Sequence, residues 1–161
     1  MTVSEQPRIA RLLMAATYVI GGIGMFFAFL ALSQQGKGLA FGALLAVGLT
    51  GILSFIRHAI FNRSDAIHGG WDYGVTNKFQ IEVGLANLAW GVFAILAVAL
   101  NWGTQAIASS FLISGLYFAA VSGFILITRD IANRKVWGFI GILSWAVASL
   151  WIGIAAMSIV P

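Results

Sequence analysis

Long unbroken apolar runs, separated by short polar connections, set the plan of this 161-residue chain. The runs extend over about Leu12 to Leu32, Leu39 to Phe61, Phe79 to Leu100, Gln105 to Thr128 and Val136 to Val160. A helix needs about 20 residues to cross a hydrocarbon core, and each run meets that length. Membrane-spanning helices satisfy their own backbone groups, whereas a closed barrel would show ten-residue segments of alternating polarity, which are missing here. The pattern therefore predicts an all-α fold: a polytopic transmembrane helix bundle of five spans (about 12–32, 39–61, 79–100, 105–128 and 136–160), forming a single transmembrane domain over residues 1–161.

Composition agrees with the pattern. The chain is 60% hydrophobic and 9% charged, with a mean hydropathy of +0.96 and no cysteine. Disulfides, thiolate metal sites and iron–sulfur clusters are thereby excluded. Arg8 and Arg11 before the first run resemble the charged start of a signal peptide, but the run is about twice the length of a signal core and is expected to remain as a span.

Charge then orients the bundle. With five spans, Arg8, Arg11, Arg57, Arg63, Lys78, Arg129, Arg134 and Lys135 fall on one side and only Lys37 on the other. Basic residues are retained on the cytoplasmic side, so the N-terminus is expected in the cytoplasm and the C-terminus outside. The net charge of +4 and the pI near 10.0 are then explained by lipid headgroups and need no nucleic acid.

Most connections are short and make their helices antiparallel neighbours. The stretch 57–78 is longer and reads as an interfacial collar. The second helix is expected to run on through Ile60, Phe61 and Asn62 before breaking at Gly69-Gly70, with Trp71 and Tyr73 at the membrane interface. The sequon Asn62-Arg63-Ser64 falls on the cytoplasmic side and should be unmodified. Gly21, Gly22, Gly24, Gly42, Ala46, Gly48, Gly51, Ser110, Ser114, Gly138 and Gly141 mark close helix contacts, within the bundle or between copies in a homo-oligomer.

Candidate chemistry concentrates at the start of the third span. Glu82 is the only acid inside a predicted span, and a carboxylate facing hydrocarbon is costly without a partner. Gln80, Gly84, Asn87 and Gly91 share one helical stripe; Glu82, Ala86 and Ala89 share its neighbour. The broad polar face is expected to look into the bundle, with Arg57, His58, Lys78 or Arg129 in reach of Glu82. Gln80, Glu82, Asn87, Arg57 and His58 are thus the candidate ligand-binding or proton-handling residues. Glu82 serves either as an ion-pair pin or as a proton or ligand group.

Other chemistries find weaker support. His58, Asp65, His68 and Asp72 are the nearest thing to a metal set, but they lack a paired-ligand motif, and no metal is assigned. Haem would need two axial ligands at membrane depth, which only His58 approaches. Tyr18, Tyr117, Trp90, Trp145 and Trp151 could line a cavity for a lipid tail or quinone, or serve as packing anchors. There is no phosphate-cradling loop and no Ser-His-Asp arrangement, so no catalytic residue and no cofactor is assigned.

The run Gly70-Trp71, a short turn, and Phe79-Gln80-Ile81-Glu82-Val83-Gly84-Leu85-Ala86-Asn87-Leu88, with His58-Ala59-Ile60-Phe61 ahead of it, resembles a motif in a family of small, functionally uncharacterised bacterial multi-span membrane proteins. The architecture is also distantly similar to DoxX-like proteins, which usually have four spans. The resemblance implies a bacterial inner-membrane location without a reaction. The functional expectation is a non-catalytic membrane protein whose polar pocket at the cytoplasmic end of the third span binds or passes a small solute, ion or lipid. An accessory, quinone-binding subunit of a redox complex and a self-assembling scaffold are the alternatives. Membrane lipids, a second copy of the chain, and a small-molecule or ion ligand are the expected partners.

Overall fold

The computed structural model describes residues 6–70, 78–127 and 136–159. Among them are six helices: α1 (Pro7–Ser33), α2 (Leu39–Ile60), α3 (Asn62–Gly69), α4 (Lys78–Ala99), α5 (Thr104–Ile127) and α6 (Val136–Ile159). All except α3 are long and apolar enough to cross a membrane. At about 1.5 Å per residue, the 22 residues of α4 cover about 33 Å, the thickness of a hydrocarbon core. The five expected spans are thus present, within a few residues of their expected bounds.

Pro7 opens α1, where its missing N–H costs nothing and its fixed φ suits a helix. Gly36 and Gly38, at φ 85° and 89°, turn the chain back within a few residues into α2. Two stretches of α2, Leu44–Leu49 and Ile56–Ile60, are π-helical. Each rotates the residues beyond it relative to a regular α-helix, and the second bears directly on the site described below.

Packing relies on small residues. A Cβ at Gly24 would lie 2.3 Å from the Ala46 backbone nitrogen, and one at Gly51 would lie 2.6 Å from the Gly91 Cα. Backbones therefore touch at the α1–α2 and α2–α4 crossings, the form of contact that stabilises helices in lipid. The most extensive pairing is α5 with α6, where Gly115 fits against Leu150 and Gly153 against Leu112. Ser110 and Ser114 are fully buried and donate back to the Ile107 and Phe111 carbonyls. Gly22 and Gly138, by contrast, face open space and take no part in packing within the chain.

The collar departs from the expected continuation of α2. The helix stops at Ile60, Phe61 leaves helical geometry (φ −101°, ψ 34°), and α3 starts a new direction before ending at Gly70 (φ 77°). A polar hook then fixes α3 to α1. Ser64 Oγ donates to the Gln6 carbonyl and accepts from the Ala10 N–H at 3.1 Å, bridging the first turn of α1. Trp71, Asp72 and Tyr73 lie outside the described residues, as does the loop carrying Arg129, Arg134 and Lys135.

Candidate functional site

Three chain segments converge beside the hook: the π-helical end of α2, the first turn of α3 and the first turn of α4. In the π segment Ile56–Ile60, the neighbours Arg57 and His58 both reach Asp65. In a regular α-helix, successive side chains would diverge by about 100°. Asp65 occupies the first turn of α3, where the helix dipole favours a negative charge. Gln80 reaches the same carboxylate from α4.

The geometry is that of a buried acid held from three directions. Asp65 is 6% exposed and Gln80 1%. Gln80 Nε2 donates to Asp65 Oδ2 at 2.7 Å, His58 Nδ1 stands 2.8 Å from the same oxygen, and Arg57 Nε is 3.5 Å from Oδ1. Arg57 Nη2 also lies 2.6 Å from His58 Nε2. A guanidinium offers donors only, so Nε2 accepts, and the ring proton sits on Nδ1, facing Asp65. Arg57, His58 and Asp65 thus form a closed chain from cation to anion through a neutral imidazole.

Burial pushes the Asp65 carboxyl upward. The His58 contact, the Arg57 charge and the Gln80 bond outweigh it and hold the group below its ordinary value. Asp65 is therefore an ionised, largely buried acid at neutral pH.

Arg57, His58 and Gln80 of the expected set come together at one carboxylate, and the Gln80, Gly84, Asn87 and Gly91 stripe of α4 is buried. The carboxylate they meet is that of Asp65, not Glu82. Glu82 is exposed, with Ala86 and Ala89 on the outer surface of α4, and the Arg57 ion pair and the His58 contact go to Asp65 instead. The physical reason is depth. One turn from the end of a span a carboxylate reaches headgroups and water, so it escapes the penalty that would force it inward.

Asn87 is buried two turns beyond Gln80, about 10 Å along α4, and its Oδ1 has no partner among the described residues. Of the metal candidates, His58 and Asp65 meet, but no third His, Asp or Glu joins them among the described residues. Of the aromatic candidates, Trp90 and Tyr117 line one open groove between α4 and α5, and the others lie elsewhere. Trp90, Phe118 and Trp145 form an edge-to-face row inside the bundle, whereas Tyr18 and Trp151 are 47% and 65% exposed. A signal for Asp65 did exist in the chain: a carboxylate seven residues after His58 and eight after Arg57, just beyond a helix end. The bend at Phe61, which starts α3 in a new direction, turns that spacing into contact.

A five-span helical membrane protein with an acid-centred polar cluster at one bundle end is the class that fold and site define. Within it, this chain belongs to DUF6790, a family of unknown function, which matches residues 35–159 and so includes Arg57, His58, Asp65 and Gln80. Neither a curated protein nor a solved structure matches the chain.

Proposed function

We infer that this is a small, non-catalytic membrane protein that passes an ion through the Asp65 cluster, and that the ion is the proton. The supporting observation is the buried Asp65 carboxylate with His58 Nδ1 at 2.8 Å: an acid and an imidazole sharing one proton position, the unit from which proton relays are built. Further polar atoms lie deeper in the bundle. Asn87 Oδ1, Trp90 Nε1, Trp145 Nε1 and Ser149 Oγ are buried without partners among the described residues, and such groups mark where water enters an interior.

In this reading the cluster lies on the cytoplasmic side of a bacterial inner membrane, with the N-terminus in the cytoplasm, an orientation that the bias of basic residues supports. Copies associate as a homo-oligomer, and exposed Gly138 is a natural point of contact. The experiment is proton flux into lipid vesicles carrying the purified protein and an internal pH dye. Wild-type vesicles should discharge an imposed pH step faster than protein-free vesicles, and Asp65→Asn should remove the excess rate while still inserting. Equal rates for wild-type and protein-free vesicles would overturn the reading, as would full flux in Asp65→Asn.

A further inference from the structure

Arg57 occupies two places in the Asp65 cluster at once. Its Nε lies 3.5 Å from Asp65 Oδ1, and its Nη2 lies 2.6 Å from His58 Nε2. One planar guanidinium therefore covers both the carboxylate oxygen that Gln80 and His58 leave open and the imidazole nitrogen that the Asp65 contact does not use. The side chains of Arg57 and His58 keep 17% and 16% of their surface exposed, against 9% for Asp65. An ion that reaches the end of α2 thus meets mostly guanidinium and imidazole, and little of the acid.

The acceptor sites decide what else can enter. An ionised carboxylate has about four of them. At Asp65, Gln80 Nε2 and His58 Nδ1 face Oδ2, and Arg57 Nε faces Oδ1. The imidazole acceptor is taken by Arg57 Nη2. A hard metal cation is held by about six oxygen ligands, and no third His, Asp or Glu stands beside the pair among the described residues. Such a cation would also sit against the guanidinium, a like charge that a largely buried site screens poorly. A proton needs a single acceptor site, and the carboxylate keeps one.

We propose that Arg57 is the selectivity residue of this site: a tethered cation that fills the place a mobile metal cation would take at Asp65 and so leaves the cluster open to protons alone. Its role in transport rests on the proton reading, whereas the exclusion of metal cations rests on the ring geometry itself. A guanidinium suits the task because it stays charged at any pH the protein meets, and its planar fork reaches both neighbours together. Removing that charge uncovers Asp65 Oδ1 and His58 Nε2, and the cluster becomes a seat for a small cation. A purely structural Arg57 has a different signature, since its loss would weaken the fold without making the protein respond to sodium.

The test uses the full chain and compares sodium chloride with N-methylglucamine chloride at equal ionic strength and mildly alkaline pH. In detergent, wild type should unfold at the same midpoint in both salts. Arg57→Gln should unfold earlier than wild type in N-methylglucamine, and its midpoint should climb with sodium concentration, as binding to the folded state requires. In vesicles, radioactive sodium uptake should equal that of protein-free vesicles for wild type and exceed it for Arg57→Gln, and Asp65→Asn added to that variant should remove the excess. Arg57→Lys keeps a cation in place and should be indifferent to sodium in both assays; Arg57→Met, which keeps the apolar stem, serves where Arg57→Gln fails to insert. The proposal fails if sodium raises the wild-type midpoint, if the charge-free variants ignore sodium, or if Arg57→Lys responds as they do. Absent proton flux in wild type, with the sodium response of Arg57→Gln intact, would overturn the proton path and uphold the exclusion of metal cations by Arg57.

Discussion

Replacing Asp65 by Asn removes one charge and changes almost no volume, so its cost measures the cluster directly. The carboxylate receives Gln80 Nε2 at 2.7 Å and His58 Nδ1 at 2.8 Å on one oxygen, and faces Arg57 Nε at 3.5 Å on the other. An asparagine keeps one acceptor and turns an NH₂ toward a group that also donates. The variant therefore loses about one charge-assisted bond, worth about 1.5–3 kcal/mol. It also leaves Arg57 without its counter-ion, and breaking a fully buried pair costs about 3–5 kcal/mol. Arg57 keeps 17% side-chain exposure and some access to water, so its orphaning costs well under the fully buried value, and the total is about 2–3 kcal/mol.

Unfolding in detergent, followed by helical circular dichroism against denaturant, reads this as a lower midpoint with an unchanged slope. The pH dependence gives a second check. Asp65 has a lowered value in the folded protein, so its contribution is complete above the ordinary carboxylate range near 3.9 and fades as pH falls through the lower folded value. The gap between wild type and Asp65→Asn should thus stay constant from neutral pH to about 5 and narrow below about 4. Equal stability of the two proteins at neutral pH would refute the idea that this cluster binds the three helices together.

Two further outcomes follow from packing. Gly51→Ala places a methyl 2.6 Å from the Gly91 Cα and 2.7 Å from the Asn87 carbonyl, backbone atoms that have no rotamer to change, so it should cost about 1–3 kcal/mol. Gly138→Ala meets nothing within 4 Å and should leave the unfolding midpoint within about 0.5 kcal/mol. Ser64→Ala deletes the hook to Gln6 and Ala10; a loss of about 1–2 kcal/mol is expected, with faster hydrogen exchange at the Ala10 amide than elsewhere in α1.

Much of this architecture is legible in the order of residues alone. Runs of about 20 apolar residues dictate helices in lipid because no other segment closes its own hydrogen bonds there, and the five runs became five long helices. The inward stripe of α4 was also legible, since the 3.6-residue repeat fixes Gln80, Gly84, Asn87 and Gly91 on one side wherever the helix packs. Which of two adjacent stripes turns inward is a different matter. Gln80 and Glu82 differ by two positions, and only the presence of Ala59 and Gly51 of α2 against Gly84 and Gly91 selects the glutamine's side.

Asp65 was decided by tertiary structure alone. Its spacing to His58 means contact because Phe61 leaves helical geometry and the chain turns back over the end of α2, where Arg57 and His58 lie. Periodicity reports a residue's angle around its own axis; it carries no information about where a second axis, after a bend, will cross it. The chain's local chemistry thus determined that helices form, how many cross the membrane and which faces are greasy. The angles between those helices, set by backbone contact at glycines, determined which acid is buried and which is left to the lipid.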